Sequence, residues 1–351
     1  MIKVLIVDDS ASTRMFLQQL FSADPQLAVV GSANNGIEAI AEAERLAPDV
    51  ITMDIDMPLM NGLIATRRIM ETRPTPIIIL SGVLDTAEVV SSFRAMEAGA
   101  IAALPKPRGG GHPDHEQEVG ALIRTVKLMS EIKMVRRWPL QDKGGAAFPA
   151  TDTVQIKTPA PPRLVAVGAS TGGPVVIRDI LSGLGKEFTL PVLIVQHMAA
   201  GFISGFAEWL ALSSGLPVHI ASQSERLIPG HAYMAPDGYH LLADTGERIK
   251  LSDSAPENGL RPAVSALFRS VANVYGNSAI GVLLTGMGRD GVDDLLLMKE
   301  KGAITIVQDQ ASSVIYGMPA EALKLGAAVY TLPPGKIAAM LVAASRQPAG
   351  L

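Results

Sequence analysis

Short apolar runs rich in β-branched residues alternate with amphipathic stretches at the start of the chain. Five of these runs are predicted to be strands, at residues 4–7, 27–33, 49–54, 76–82 and 102–107. The stretches between them, such as 10–23 and 35–47, carry apolar residues at helical spacing. Because strand and helix alternate strictly, the pattern predicts βαβ units with right-handed crossovers and a parallel sheet.

A change in composition separates this first region from a second one of similar pattern. Residues 118–137 have helical periodicity and are expected to close the first domain. The segment from about 138 to 162 is rich in Gly, Ala, Thr and Pro, which is typical of a solvated linker. We therefore expect domains at 1–130 and 163–351, joined by a linker at 131–162.

The second domain repeats the alternation of strands and helices. Its candidate strands are 163–170, 191–198, 218–223, 232–242, 248–253, 279–286, 303–309 and 327–332. Its candidate helices are 174–184, 202–214, 262–274, 292–301, 317–325 and 335–346. The predicted fold class is α/β, with two doubly wound domains, of which the second is mostly parallel with some antiparallel strands in its middle.

Composition narrows the possible partners and chemistry. A chain of 351 residues exceeds the usual limit for one hydrophobic core, in agreement with two domains. The net charge of −4 argues against nucleic acid and anionic lipid as partners. The absence of cysteine excludes disulfides, thiolate zinc sites and cysteine nucleophiles. No signal peptide or membrane span is recognisable, so we expect a cytoplasmic protein without direct membrane insertion.

Carboxylates mark the strand ends of the first domain. Asp8 and Asp9 follow the first strand and Asp54 ends the third, so the three side chains are expected to meet at the carboxyl edge of the sheet. Carboxylate oxygens suit Mg²⁺, which keeps part of its water shell and can bind a phosphoryl group. Ser81 and Lys106 end the fourth and fifth strands, where they could bind phosphoryl oxygens. The alternative is that the carboxylates are ordinary solvated loop residues.

These residues, in this order, resemble a response-regulator receiver domain, which has a flavodoxin-like fold. The resemblance implies that Asp54 is phosphorylated by a histidine kinase, and that Ser81 and Lys106 form the switch. It also implies that Asp9 and Asp54 bind Mg²⁺ directly, that Asp8 acts through water and that the main chain of Asp56 supplies another oxygen. The chain departs from the receiver pattern at Ala103, where an aromatic switch residue is common.

A possible nucleophile follows the first strand of the second domain. Ser170 lies within GASTGGP, a G-x-S-x-G pattern at a strand-to-helix turn that would expose its hydroxyl near a helix N-terminus. Such a turn could also cradle a phosphate, although the lysine of a P-loop is missing. His197 ends the next strand and could act as the base. Asp290, in a glycine-rich loop after a later strand, could orient the imidazole.

The segments GASTGGP, QHM and TGMGRDG together resemble the catalytic domain of the CheB family of chemotaxis protein-glutamate methylesterases, over about 163–346. The resemblance implies hydrolysis of glutamate γ-methyl esters on methyl-accepting chemoreceptors, with deamidation of receptor glutamines as a second activity. It assigns Ser170, His197 and Asp290 to a catalytic triad. It makes the backbone amide of Met287 an oxyanion donor and Thr171 a residue that lines the site. No cofactor is implied for the esterase.

The family segment that usually reads close to His-Arg-Pro-Ser-Val-Asp is LRPAVS at 260–265 of this chain, so polar groups of the family pattern are missing, and the chain departs from that pattern at Leu260 and Ser265. The resemblance also implies that the unphosphorylated receiver covers the catalytic cleft and that phosphorylation shifts this equilibrium. Two other functions stay open at this point. One is a signalling adaptor without catalysis, and the other is a serine hydrolase that acts on a different ester or on a peptide.

Overall fold

The computed structural model describes residues 1–82, 86–132 and 160–346. Contacts between Cα atoms divide the chain into two compact units, Met1–Gly144 and Gly145–Leu351. Most of the predicted linker, and residues 133–137 of the predicted closing helix, lie outside the described residues. The exact domain boundaries therefore stay a prediction.

The first unit alternates strands and helices, as the hydrophobic pattern predicts. Its elements are β1 (Ile2–Val7), α1 (Ala11–Ser22), β2 (Leu27–Ala33), α2 (Gly36–Leu46), β3 (Val50–Met53), α3 (Gly62–Thr72), β4 (Ile77–Ser81), α4 (Thr86–Glu97), β5 (Ala102–Pro105) and α5 (His115–Ser130). All strand pairs are parallel and the strand order is β2-β1-β3-β4-β5. This is the flavodoxin-like order, in which successive strands are added to one side of β1 and then to the other, so that the order reverses between β1 and β3.

Apolar strands and polar helix caps explain these elements locally. Residues 4–7 of β1 are buried, as expected for a strand with helices on both faces of its sheet. The side-chain oxygen of Asn35 accepts hydrogen bonds from the backbone N–H groups of Ile37 and Glu38, at 2.9 and 3.0 Å. This cap satisfies donors that the first turn of α2 leaves without helical partners, and it fixes where the helix begins.

The second unit is built around a larger parallel sheet. Its elements are β6 (Leu164–Ala169), α6 (Gly173–Leu184), β7 (Val192–Gln196), α7 (Ile203–Ser214), β8 (Val218–Ile220), β9 (Ala232–Met234), β10 (His240–Asp244), β11 (Arg248–Ser252), α8 (Val264–Tyr275), β12 (Ala279–Leu283), α9 (Val292–Glu300), β13 (Ile304–Gln308), α10 (Met318–Lys324), β14 (Tyr330–Leu332) and α11 (Pro334–Ser345). The strand order is β14-β13-β12-β6-β7-β9-β8, and β10 and β11 form a separate antiparallel pair.

The α/β fold class, with two mostly parallel units, is confirmed. One element prediction is wrong, since the single strand expected at 232–242 is two strands in different sheets. The break follows from the sequence Pro236-Asp237-Gly238, in which Gly238 has a φ of 77°. Proline and a left-handed glycine turn the chain between β9 and β10, and this turn overrides the apolar residues on either side. None of the helices in the described ranges is both long and apolar enough to cross a bilayer.

The core of the second unit gives a direct test of its packing. Leu210 of α7 is fully buried, whereas Leu212, two residues later, is 70% exposed. We expect Leu210→Ala to lower the free energy of unfolding by about 2–5 kcal/mol, because it removes buried methyl groups and leaves a cavity. We expect the matched control Leu212→Ala to change it by less than about 0.5 kcal/mol. Denaturant titration followed by tryptophan fluorescence measures both, and equal effects would contradict the packing.

Candidate functional site

Ser170 lies at the carboxyl edge of the larger sheet, directly after β6. Its backbone N–H donates to the carbonyl of Thr285 at 3.0 Å, which joins it to the end of β12. Gly286 allows this approach, since a Cβ built there would lie 2.6 Å from the Cβ of Ser170. The strand order changes direction between β6 and β12, and such a point is where ligands bind in open α/β sheets.

His197 is brought beside Ser170 by strand pairing. It follows β7, whose last residue, Gln196, is opposite Ala169 of β6. The N–H of His197 donates to the carbonyl of Ala169 at 2.9 Å, which extends the pairing by one residue. Ser170 and His197 therefore leave neighbouring parallel strands at the same level. Within the described residues, the Ser170 hydroxyl makes no hydrogen bond to the imidazole, so contact between nucleophile and base stays a prediction.

Asp290 joins the imidazole to the start of a helix. Its Oδ2 atom lies 2.9 Å from Nε2 of His197. The same carboxylate accepts hydrogen bonds from the backbone N–H groups of Val264 at 2.6 Å and Ser265 at 3.0 Å, the first two residues of α8. A carboxylate at this place also interacts favourably with the dipole of the helix. Asp290 thus holds the imidazole of His197 and caps α8.

The surroundings of Asp290 keep it ionised. Burial acts to raise the pKa of this carboxyl, but the hydrogen bond and charge of His197 and the hydrogen bonds from Ser265 outweigh it, so the pKa lies below its usual value. An ionised carboxylate only accepts hydrogen bonds, so Nε2 of His197 must carry a proton. In the neutral imidazole this leaves Nδ1 as the acceptor, which is the protonation state that a general base requires.

Met287 is the expected oxyanion donor, and Thr171 is expected to line the site. Met287 follows Gly286, its side chain is exposed, and within the described residues its backbone N–H donates to no protein acceptor. Thr171 is half-buried, and its carbonyl accepts a hydrogen bond from the hydroxyl of Thr285 at 3.0 Å. A backbone N–H that is free of protein acceptors is able to bind a developing oxyanion.

Leu260 and Ser265, where the chain departs from the family pattern, lie in different surroundings. The hydroxyl of Ser265 accepts a hydrogen bond from the N–H of Gly291 at 2.9 Å, next to Asp290. Ser265 therefore supports the Asp290 loop through both its backbone and its side chain. Leu260 exchanges backbone hydrogen bonds with Glu257 at 2.9 and 3.0 Å in a tight turn. Sequence reasoning marks Ser265 as unusual but does not indicate its contact with the triad loop.

The acidic cluster of the first unit lies where its strand order changes direction. Asp8 and Asp9 follow β1, and Asp54 follows the neighbouring β3. One carboxylate oxygen from each residue lies within 4.8 Å of the other two. A set of three carboxylates this close together fits Mg²⁺, a hard cation that binds oxygen ligands. The side chain of Asp56 is exposed and outside this cluster, so its expected main-chain contact stays a prediction.

Lys106 reaches into the acidic cluster from the end of β5. Its Nζ atom lies 2.8 Å from Oδ2 of Asp54 and 3.0 Å from Oδ2 of Asp8. Burial raises the pKa of Asp54 to about 6, and the negative Asp8 adds to this, although Lys106 acts in the opposite direction. Burial alone would lower the pKa of Lys106, but the two carboxylates raise it above its usual value. The lysine therefore stays positively charged at neutral pH.

The switch hydroxyl has a partner that the sequence does not reveal. The side chain of Ser81 is buried and donates to the carboxylate of Glu88 at 3.0 Å and to the carbonyl of Gly82 at 3.1 Å. Glu88 lies in the first turn of α4. No motif marks it, because the contact joins two separate elements, β4 and α4, rather than neighbours within one helix or strand.

The remaining histidines have contacts outside the triad. His112 and His115 contact Arg108 through its side chain and its carbonyl, respectively. His219 and His231 are stacked and joined by a hydrogen bond of 2.8 Å. His240 is buried and accepts a hydrogen bond from the N–H of Ala263. These contacts agree with structural roles.

Two family models and several relatives match the chain. The CheB methylesterase model matches residues 165–341, and the response regulator receiver domain model matches residues 4–111. A protein-glutamate methylesterase/protein-glutamine glutaminase 4 of Geobacter metallireducens is 60% identical over 342 residues, covering 97% of this chain and 98% of the relative. A protein-glutamate methylesterase/protein-glutamine glutaminase of Nitrosospira multiformis is 54% identical, covering 97% and 96%.

A solved structure agrees with these relatives for the second unit. The crystal structure of the Thermotoga maritima CheB methylesterase catalytic domain matches with a TM-score of 0.50 and 37% sequence identity, covering 52% of this chain and 97% of that domain. One family model thus spans half of the chain, and relatives above 50% identity match almost its whole length. The chain therefore belongs to the CheB methylesterase family and carries a response regulator receiver domain before its catalytic domain.

Proposed function

We propose that the second unit hydrolyses glutamate γ-methyl esters on methyl-accepting chemoreceptors and deamidates receptor glutamines. We further propose that phosphorylation of Asp54 by a histidine kinase raises this activity. The names of the relatives at 60% and 54% identity support both reactions. The observation that carries the proposal is the hydrogen bond between His197 and the buried, ionised Asp290, at the sheet edge that also carries Ser170.

The triad supplies an activated hydroxyl. The N–H at Nε2 of His197 donates a hydrogen bond to Asp290. This leaves Nδ1 available to take the proton of the Ser170 hydroxyl. The serine oxygen then attacks the carbonyl carbon of the glutamate side chain. The positive charge that forms on His197 is stabilised by the carboxylate of Asp290, which remains ionised because its pKa is low.

The negative charge on the substrate oxygen is stabilised by the N–H of Met287 and by the favourable dipole at the N-terminus of α6, which begins just after Ser170. His197 returns the proton to the leaving group, which departs as methanol from an ester or as ammonia from an amide. Water, activated by the same imidazole, then releases the acyl group from Ser170 as a glutamate side chain. Both proposed reactions thus pass through the same kind of acyl-enzyme intermediate.

The first unit controls this chemistry through Asp54. Asp8, Asp9 and Asp54 would hold Mg²⁺, which neutralises phosphoryl oxygens during transfer. Lys106 contacts the carboxylate that accepts the phosphoryl group and would then pair with the phosphoryl oxygens. Ser81 would leave Glu88 to bind the same group, so phosphorylation would change contacts at the start of α4.

Replacing Ser170 tests the esterase. We expect Ser170→Ala to abolish release of labelled methanol from methylated receptor membranes, because no other group provides the acyl-enzyme oxygen. The matched control Ser182→Ala, at an exposed position of α6, should retain the wild-type rate. Methanol release by Ser170→Ala at the wild-type rate would remove this serine from the mechanism.

Phosphorylation is tested by adding a small acyl phosphate and Mg²⁺. We expect methanol release by the wild-type protein to rise, and Asp54→Asn to keep its basal rate without responding, because the amide cannot accept the phosphoryl group. Asp49→Asn, an exposed position before β3, serves as the control and should respond like the wild type. An unchanged response of Asp54→Asn would contradict the role of this aspartate.

The raised pKa of Asp54 predicts how Mg²⁺ binding depends on pH. Below a pKa of about 6 this carboxyl is protonated and lacks the charge that the cation needs. We therefore expect Mg²⁺ affinity to be steady above this pH and to fall by about tenfold for each pH unit below it, because binding then displaces a proton. Calorimetric titration with Mg²⁺ measures this affinity when it is repeated from about pH 5 to about pH 8 in steps of about one pH unit. Equal affinities across the range would contradict the prediction.

A further inference from the structure

Gln196 is a buried amide that joins the two reacting residues of the proposed triad. It is the last residue of β7 and is 4% exposed. Its Nε2 group donates to the carbonyl of Ser170 at 2.8 Å and to the carbonyl of His197 at 2.8 Å. One side chain therefore binds the backbone of both the nucleophile and the base, at the point where their strands end.

These two contacts lie just beyond the last paired residues of β6 and β7, where strand pairing no longer holds the backbone. The ladder between β6 and β7 ends with the pair Ala169 and Gln196, followed by the bond from His197 N–H to Ala169. Beyond it, Ser170 turns towards α6, where its carbonyl also accepts from the N–H of Gly173 at 2.8 Å. Within the described residues, the amide of Gln196 is a side-chain link between the backbones of Ser170 and His197.

The carbonyl oxygen of the Gln196 side chain indicates that a glutamine at this position is energetically unfavourable. The Oε1 atom of Gln196 is buried and has no hydrogen-bond partner among the described residues. A buried acceptor without a protein partner is unfavourable, and an apolar side chain of similar shape would avoid this penalty. Gly173 makes room for the amide, since a Cβ there would lie 2.1 Å from Oε1. Stability alone does not favour glutamine at this position.

We infer that Gln196 is a positioning residue for the esterase reaction: by binding both carbonyls it holds Ser170 and His197 at the separation that proton transfer requires. This inference rests on the proposed function, since it assigns the reacting groups to Ser170 and His197. A shift of about 1 Å between reacting groups can reduce a rate by about a hundredfold, so two hydrogen bonds to the backbone are enough to matter.

Two variants test this inference in the full-length protein. Gln196→Met removes the donor and the unpaired acceptor while keeping similar bulk, and Gln196→Glu keeps the shape but places an oxygen where the donating nitrogen was. We expect both to lower kcat for methanol release by about 10- to 100-fold, with KM changed by less than about threefold, because substrate contacts are untouched. Labelling of Ser170 by an aryl sulfonyl fluoride should slow similarly, since it depends on the same proton transfer.

Thr305→Val provides the matched control for loss of a buried polar group. The hydroxyl of Thr305 is buried in β13, donates to the carbonyl of Ala327 at 2.7 Å and accepts from the N–H of Val329 at 3.2 Å. Its removal therefore breaks one buried and one partly buried hydrogen bond in the same sheet without touching Ser170 or His197. We expect this variant to be less stable in thermal unfolding but to retain the wild-type kcat and labelling rate.

The outcomes separate the inference from the proposed function. A wild-type kcat in Gln196→Glu or in folded Gln196→Met, with Ser170→Ala inactive in the same assay, would overturn the role of Gln196 and leave the triad intact. A loss of kcat in Thr305→Val equal to that in the Gln196 variants would also overturn it, because general destabilisation would then explain both. An active Ser170→Ala would overturn the proposed function and the inference together.

Discussion

The buried carboxylate of Asp290 is the interaction on which the candidate site depends. It accepts hydrogen bonds from the imidazole of His197 and from the first two N–H groups of α8, so one charge joins the end of β7, the loop after β12 and the start of a core helix. A buried charge is stable only when its hydrogen-bonding capacity is satisfied, and here the partners include the proposed base. The orientation of the imidazole and the packing of α8 are therefore coupled.

Both units place their chemistry at the same feature of a parallel sheet, the point where strand order changes direction. In the first unit this edge gathers three carboxylates and Lys106, which suits a cation and a phosphoryl group. In the second it gathers a serine, an imidazole and the N–H of Met287, which has no acceptor within the described residues, and this set suits acyl transfer. One backbone architecture supports two reactions, and the side chains that follow each strand decide which one.

Much of this arrangement can be predicted from sequence, because β-branched runs end sharply at polar residues. Asp8, Ser170 and His197 each follow such a run, and the parallel sheet then dictates a shared edge. Contacts between side chains are less accessible to sequence reasoning. The bond from Ser81 to Glu88 joins two different elements, and alternation along β7 does not indicate which groups Gln196 binds. The strand predicted at 232–242 was wrong because the turn at Gly238 outweighs the apolar residues around it.

The protonation state of His197 decides whether its imidazole can act as the base for Ser170. Nitrogen-15 NMR of the histidine rings, at a pH where His197 is neutral, distinguishes a proton on Nε2 from one on Nδ1, and an Ala variant of His197 assigns the signals. We expect the proton on Nε2, hydrogen-bonded to Asp290, with Nδ1 unprotonated and available to Ser170. A neutral ring with its proton on Nδ1 would rule out this arrangement, since that nitrogen could not accept the proton of the serine hydroxyl.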